Sequence, residues 1–116
     1  MRNPIVAETV TRDYMSKMYV NKNGVRKEII KVLESFNGDL YFFPEEPDAN
    51  GYVLAYVRLY SMPEMAEWGE VNLPYLNSSE GYGANRLWEV KKASWRNLNS
   101  YEDGLVEFES EKKVVA

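Results

Sequence analysis

The sequence predicts an α+β fold, a two-layer α/β sandwich in which an N-terminal helix pair packs on a mainly antiparallel sheet. Three observations lead there. Apolar residues recur at helical spacing through the first third of the chain. The period changes from helical to extended at Leu40. Tyr52 to Tyr60 is then a run rich in β-branched and aromatic residues, bounded by turn chemistry.

Ala7, Val10, Tyr14 and Met18 form the first apolar stripe, which Asn21-Lys22-Asn23-Gly24 ends. Val25, Ile29, Val32, Leu33 and Phe36 form the second and stronger stripe, stopped by Asn37-Gly38. Leu40-Tyr41-Phe42-Phe43 is β-prone up to Pro44, and residues 45–51 read as a turn. A hairpin over about 40–60 is the natural product. Ser61-Met62-Pro63-Glu64 has the spacing of a capping box, which predicts a short helix through Trp68, stopped by Gly69. Residues 71–76 read as a weak strand interrupted by Pro74, and 77–85 as a loop. Residues 86–92 fit a strand or a helix. We favour a strand, followed by a helix over about 94–102 with Ser94 as its N-cap. Asp103-Gly104 marks a turn, Val106 and Phe108 a last strand, and residues 111–116 a frayed tail.

At 116 residues the chain fits one globular domain, spanning 1–116. Hydrophobic content of 45% supports a genuine core. No apolar run approaches the roughly 20 residues that span a bilayer. Met1-Arg2-Asn3-Pro4-Ile5-Val6 carries a charge with no apolar stretch behind it, so no signal peptide and a cytoplasmic location are expected. Net charge is −4, unevenly spread. Residues 1–36 hold seven basic and four acidic side chains, 37–85 one basic and eight acidic, 86–99 four basic and one acidic, and 100–116 two basic and five acidic. Alternating blocks argue against one broad basic surface for duplex DNA and allow a complementary self-contact.

The chain has no histidine and no cysteine. That removes Ser-His-Asp and Cys-His nucleophiles and thiolate zinc sites. Gly81-Tyr82-Gly83 falls short of a dinucleotide fingerprint because Arg86 stands where its third glycine belongs. Asp48-Ala49-Asn50-Gly51 resembles the start of a calcium loop, but its glycine falls at the fourth position instead of the sixth and Leu59 stands where the bidentate glutamate belongs. Glu64, Glu67 and Glu70 could supply a carboxylate pair, yet they read as a charged rim around Trp68. No catalytic residue, metal ligand or cofactor is expected, and the reading leans away from an enzyme.

Two surfaces are candidate binding sites. On the strand 52–60, alternation places Val53, Ala55, Val57 and Leu59 on one face. Tyr52, Leu54, Tyr56, Arg58 and Tyr60 lie on the other, an amphipathic face able to stack a base, hold a planar ligand or meet a subunit. Ala55-Tyr56-Val57 resembles part of the RNP1 strand of the RNA-recognition motif. The spacing departs from that motif, and the chain opens with predicted helices, so it is not assigned to that family. The second surface is Arg86, Trp88, Lys91, Lys92, Trp95 and Arg96, where cations interleave with indoles. The competing reading of both is structural, with the aromatics in the core and the cations solvated. The leading functional expectation is a non-enzymatic interaction domain that self-associates or binds a protein partner. The alternatives are a single-stranded nucleic-acid binder, and a small-ligand protein or carboxylate-dependent enzyme. No membrane association is expected.

Overall fold

A computed structural model describes residues 17–98 and 106–109. Eight strands make up two antiparallel sheets: β1 (Lys17–Lys22), β2 (Val25–Glu28), β3 (Lys31–Ser35), β4 (Leu40–Phe43), β5 (Tyr52–Leu59), β6 (Met62–Asn72), β7 (Leu87–Glu89) and β8 (Val106–Glu109). The smaller sheet has the order β2-β1-β8 and the larger β6-β5-β4-β3-β7. Among the described residues the helical elements are short, a one-turn helix α1 (Leu73–Asn77) and a 3-10 segment (Lys92–Asn97).

This overturns the expected α+β sandwich. Residues 25–36, predicted as the second helix of a pair, instead supply β2, β3 and the start of the next turn. Four β-branched residues, Val25, Ile29, Ile30 and Val32, favour the extended backbone there. Asn23 and Gly24 both have positive φ, 55° and 80°, and join Lys22 to its cross-strand partner Val25. That is the two-residue hairpin turn for which Asn-Gly is preferred, not a helix end. The first predicted helix, over 7–18, lies outside the described residues except for Lys17 and Met18, which open β1.

The hairpin expected over 40–60 is present, with Phe42 opposite Tyr56 and Leu40 opposite Arg58. The helix expected after Ser61 is instead β6, paired with β5 from Asn72 opposite Tyr52 to Met62 opposite Leu59. A register shift opposite residues 57–59 accommodates Pro63, which would break a regular central ladder. Asn72 caps α1, its side chain accepting the Tyr75 N–H at 2.8 Å. The 3-10 segment begins at Lys92, with no side-chain cap from Ser94. The rest of the helix predicted to 102, the Asp103-Gly104 turn and the tail lie outside the described residues.

One continuous run passes from the smaller sheet into the larger. The Ile29 N–H donates to Met18 O at 2.9 Å, and the next amide, Ile30, donates to Phe43 O at 2.8 Å. The smaller sheet thereby shares a core with one face of the larger. Met18 and Val20 of β1 pack there with Val32, Phe42, Tyr56, Trp95 and Leu98. Val32, Phe42, Tyr56 and Trp68 are successive cross-strand partners, and the three rings pack in a row, Phe42–Tyr56 tilted at 5.9 Å and Tyr56–Trp68 edge-on at 5.6 Å. Burying a side chain of this size contributes about 1.5–3 kcal/mol. The opposite face of the larger sheet is covered by α1 and the following loop, through Tyr41, Phe43, Val53 and Ala55 against Leu73, Leu76 and Tyr82. The central strands β4 and β5 are therefore largely buried on both faces, and the solvated features of the larger sheet are its ends and its outer strands β6 and β7.

Candidate functional site

Three connections meet at one end of the larger sheet: the β3–β4 turn, the two-residue β5–β6 turn and the loop before β7. Asp39 ties them together. Its backbone holds the β3–β4 turn, with the Ser35 N–H on Asp39 O at 2.9 Å and the Asp39 N–H on Ser35 Oγ at 3.0 Å. Ser35 Oγ also donates to Asn37 Oδ1. The Asp39 carboxylate accepts the Tyr60 N–H at 2.8 Å and the Tyr82 hydroxyl at 2.5 Å. Because the Tyr82 proton points to Asp39, the Tyr41 hydroxyl donates to Tyr82, at 2.8 Å. Asp39 is buried at 7% exposure, so these bonds replace the water it has lost.

Burial pushes the Tyr82 hydroxyl well above its ordinary pKa, and donation to Asp39 raises it further. Burial also raises Tyr41 above its ordinary value. Both phenols are therefore held as proton donors at neutral pH, which makes them braces rather than bases.

Around this brace stand large side chains that the fold leaves open. Phe36, Tyr60, Met62 and Trp88 are between 45% and 64% exposed. Phe36 meets Tyr82 edge-on at 6.4 Å, and the Arg86 guanidinium lies 5.0 Å from the Phe36 ring centre. Trp88 is opposite Glu34, whose carboxylate accepts its indole N–H at 3.3 Å. Tyr60 packs across Gly38 of the neighbouring turn.

Of the residues singled out from sequence, Tyr60, Arg86 and Trp88 gather at this end. Arg58 is close by, opposite Leu40, but buried. Tyr52 lies at the other end of β5, eight positions from Tyr60, or about 26 Å along a strand. Tyr56 is 1% exposed and Trp95 5%, so neither ring offers a free face. The Trp95 indole donates to Val90 O at 3.0 Å. Lys91, Lys92 and Arg96 are exposed around Trp95, with Lys92 5.8 Å from its ring and Arg96 5.1 Å from that of Phe108.

Sequence reasoning missed Phe36, Asp39, Tyr41, Met62 and Tyr82. Asn37-Gly38, taken as a hairpin turn, would have placed Phe36 at a sheet end. Nothing local marks Asp39 and Tyr82, which meet across 43 positions.

No cluster of three or more potential metal-ligating side chains occurs among the described residues. No helix among them is long and apolar enough to cross a membrane. Fold and site together define a small antiparallel β domain with an aromatic end braced by a buried carboxylate. Comparison with family models, curated proteins and solved structures finds no match to this chain.

Proposed function

We propose that this domain is a non-enzymatic protein-interaction module that meets its partner through the braced aromatic end. The observation that carries the reading is the exposure of Phe36, Tyr60, Met62 and Trp88 toward one end of the larger sheet, Phe36 and Tyr60 on turns tied to Asp39 and Met62 and Trp88 on the adjoining strands β6 and β7. Four half-exposed side chains of this size offer on the order of 400 Å² of surface, the scale at which exposed apolar patches become functional. That is about half of what one partner buries in a standard interface. The residue types are those that carry interface energy, with tyrosine, tryptophan and arginine as anchors and methionine as an adaptable filler. Holding the turns in place in advance lowers the ordering cost of binding. A single-stranded nucleic-acid reading is less well supported, because Tyr56 and Trp95 have no open face and Lys91, Lys92 and Arg96 surround a buried ring.

The test is quantitative affinity capture from the source cells with the wild-type chain and with a Tyr60→Ser/Trp88→Ser variant whose melting temperature matches. Sedimentation velocity of both covers a second copy as the partner. Proteins enriched by the wild type and lost by the variant, or an oligomer lost by it, are expected. Equal enrichment and the same oligomeric state for both chains would sink the reading.

A further inference from the structure

β6 is an edge strand of the larger sheet, and its outer side pairs with no other strand among the described residues. The Leu73 N–H donates to Gly51 O at 2.9 Å, and Gly51–Leu73 continues the Tyr52–Asn72 register. Hydrogen-bonded pairs alternate from there through Val53–Val71, Ala55–Gly69 and Val57–Glu67. Trp68 and Glu70 fall between those pairs, so their N–H and C=O groups point away from β5. Such outward-facing groups are a template for another strand.

Sheet edges are usually guarded, often by lysine. This one carries Pro63 and a bulge near its start, and its charged side chains are all acidic. Glu64, Glu67 and Glu70 lie along it, and no lysine or arginine occurs from Leu59 to Asn85. Midway along the edge the Asn23 amide of the β1–β2 turn reaches Glu67 at 3.3 Å. At its C-terminal end, Asn72 donates to Asn50 O, joining the edge to the β4–β5 turn with its Glu45, Glu46 and Asp48. At the middle of the edge, Gly69 presents no side chain, and a Cβ built on it would meet nothing within 4 Å. The edge therefore combines outward-facing backbone groups, with the Trp68 N–H met by the carboxylate of its neighbour Glu67 at 3.3 Å, and one sign of charge. A second copy pairing β6 to β6 would bring acidic strands together, which costs free energy.

We infer that the β6 edge receives a basic, extended peptide segment of a partner protein as an added strand. Backbone groups of Trp68 and Glu70 supply the pairing, and Glu64, Glu67 and Glu70 select cationic side chains. The edge begins at Met62, so the added strand and the aromatic end form one continuous surface. This inference rests on the interaction reading and names the class of partner.

The test uses a seven-residue peptide of alternating lysine and valine as the probe. Two controls accompany it, the glutamate-valine counterpart and a lysine-valine peptide N-methylated at alternate residues on its pairing edge. Binding to the full chain is followed by amide NMR shifts at low salt. The lysine peptide is expected to bind, with the largest shifts at Trp68 and Glu70. The glutamate and N-methylated peptides are expected not to bind. A Glu64→Lys/Glu67→Lys/Glu70→Lys variant should weaken binding roughly threefold or more, because the alternating lysines share one face of the added strand while Glu67 and Glu70 lie on opposite faces of β6. Raising salt should weaken it as well. Equal binding of the N-methylated peptide would overturn the inference, showing attraction by charge alone. So would shifts centred elsewhere, no binding at millimolar peptide, or dimerisation of the chain through β6. If the peptide result fails while capture still depends on Tyr60 and Trp88, the interaction reading stands and only the basic-strand partner falls. If neither depends on these residues, both fall.

Discussion

Replacing Tyr82 by phenylalanine isolates the Asp39 brace. The ring contacts of Tyr82 with Phe36 and Tyr41, at 6.4 and 6.1 Å, survive in the variant, so the loss comes from the hydroxyl alone. That hydroxyl donates to the Asp39 carboxylate and accepts from Tyr41. A bond to a carboxylate contributes about 1.5–3 kcal/mol, and Tyr41 left without its acceptor adds up to about 1 kcal/mol. Asp39 keeps the Tyr60 N–H at 2.8 Å, which prevents a larger collapse. The expected loss is about 2–3 kcal/mol, read as a shift of the urea midpoint at unchanged slope. For a chain of this length it corresponds to a melting temperature lower by roughly 10 °C. Tyr41→Phe, which removes a donor but leaves the Tyr82–Asp39 bond, should cost less than Tyr82→Phe. A loss below about 0.5 kcal/mol for Tyr82→Phe would refute the brace, because that is the range of an ordinary surface substitution.

Alkaline pH should probe the same pair. Tyr41 and Tyr82 are both raised above their ordinary value, so the folded state holds protons that the unfolded chain releases near pH 10. Stability is then full below about pH 10 and falls above it, by at most about 1.4 kcal/mol per pH unit for each tyrosine. Urea midpoints between pH 8 and 11 would show this, with a shallower fall in Tyr82→Phe. Gly51→Ala should be strongly destabilising by thermal melt, by about 2 kcal/mol or more. Gly51 has a φ of +87°, and a Cβ there would come within 2.4 Å of Pro74 Cδ. By contrast, Arg26→Gln, which removes the exposed ion pair with Glu107 at 2.9 Å and the guanidinium lying 3.8 Å from the Tyr19 ring centre, should cost about 1 kcal/mol, and less at high salt.

How much of this was legible in the sequence depended on whether local chemistry had one meaning. Leu40 to Phe43 and the run from Tyr52 were legible because β-branched and aromatic density, a Pro and an Asn-Gly turn all agreed. The segment 25–36 was not. Its apolar residues fit a helical stripe, yet in the fold they serve different places: Ile29 and Val32 enter one core, Leu33 packs on the other, and Val25, Ile30 and Phe36 stay exposed. Asn-Gly at 23–24 and 37–38 is compatible with a helix end and a hairpin turn alike, and the second meaning won both times. Ser61 and Glu64 have capping-box spacing, but pairing with β5 offered the same backbone a longer set of partners. Alternation along β5 was read correctly, with Val53 and Ala55 on one face and Tyr56 and Arg58 on the other. What alternation could not reveal was that both faces are covered, so that Tyr56, expected to be a contact residue, is core. At the site, Tyr60, Arg86 and Trp88 were visible as residue types. The Asp39–Tyr82 bond that positions their surroundings is a product of tertiary folding alone.

The corner at Ile29–Ile30 bears on how the molecule comes apart. Two consecutive amides are bonded into different sheets, so neither sheet can peel away without straining the other across a single peptide unit. A molecule joined in this way has no seam between its layers. Opening should be a property of the whole, with the amides of Ile29 and Ile30 exchanging with solvent at a common rate set by global unfolding. For a domain proposed to work at its turns and its open edge, that arrangement joins the two sheets through one peptide unit, so that the framework carrying those turns yields only as a whole.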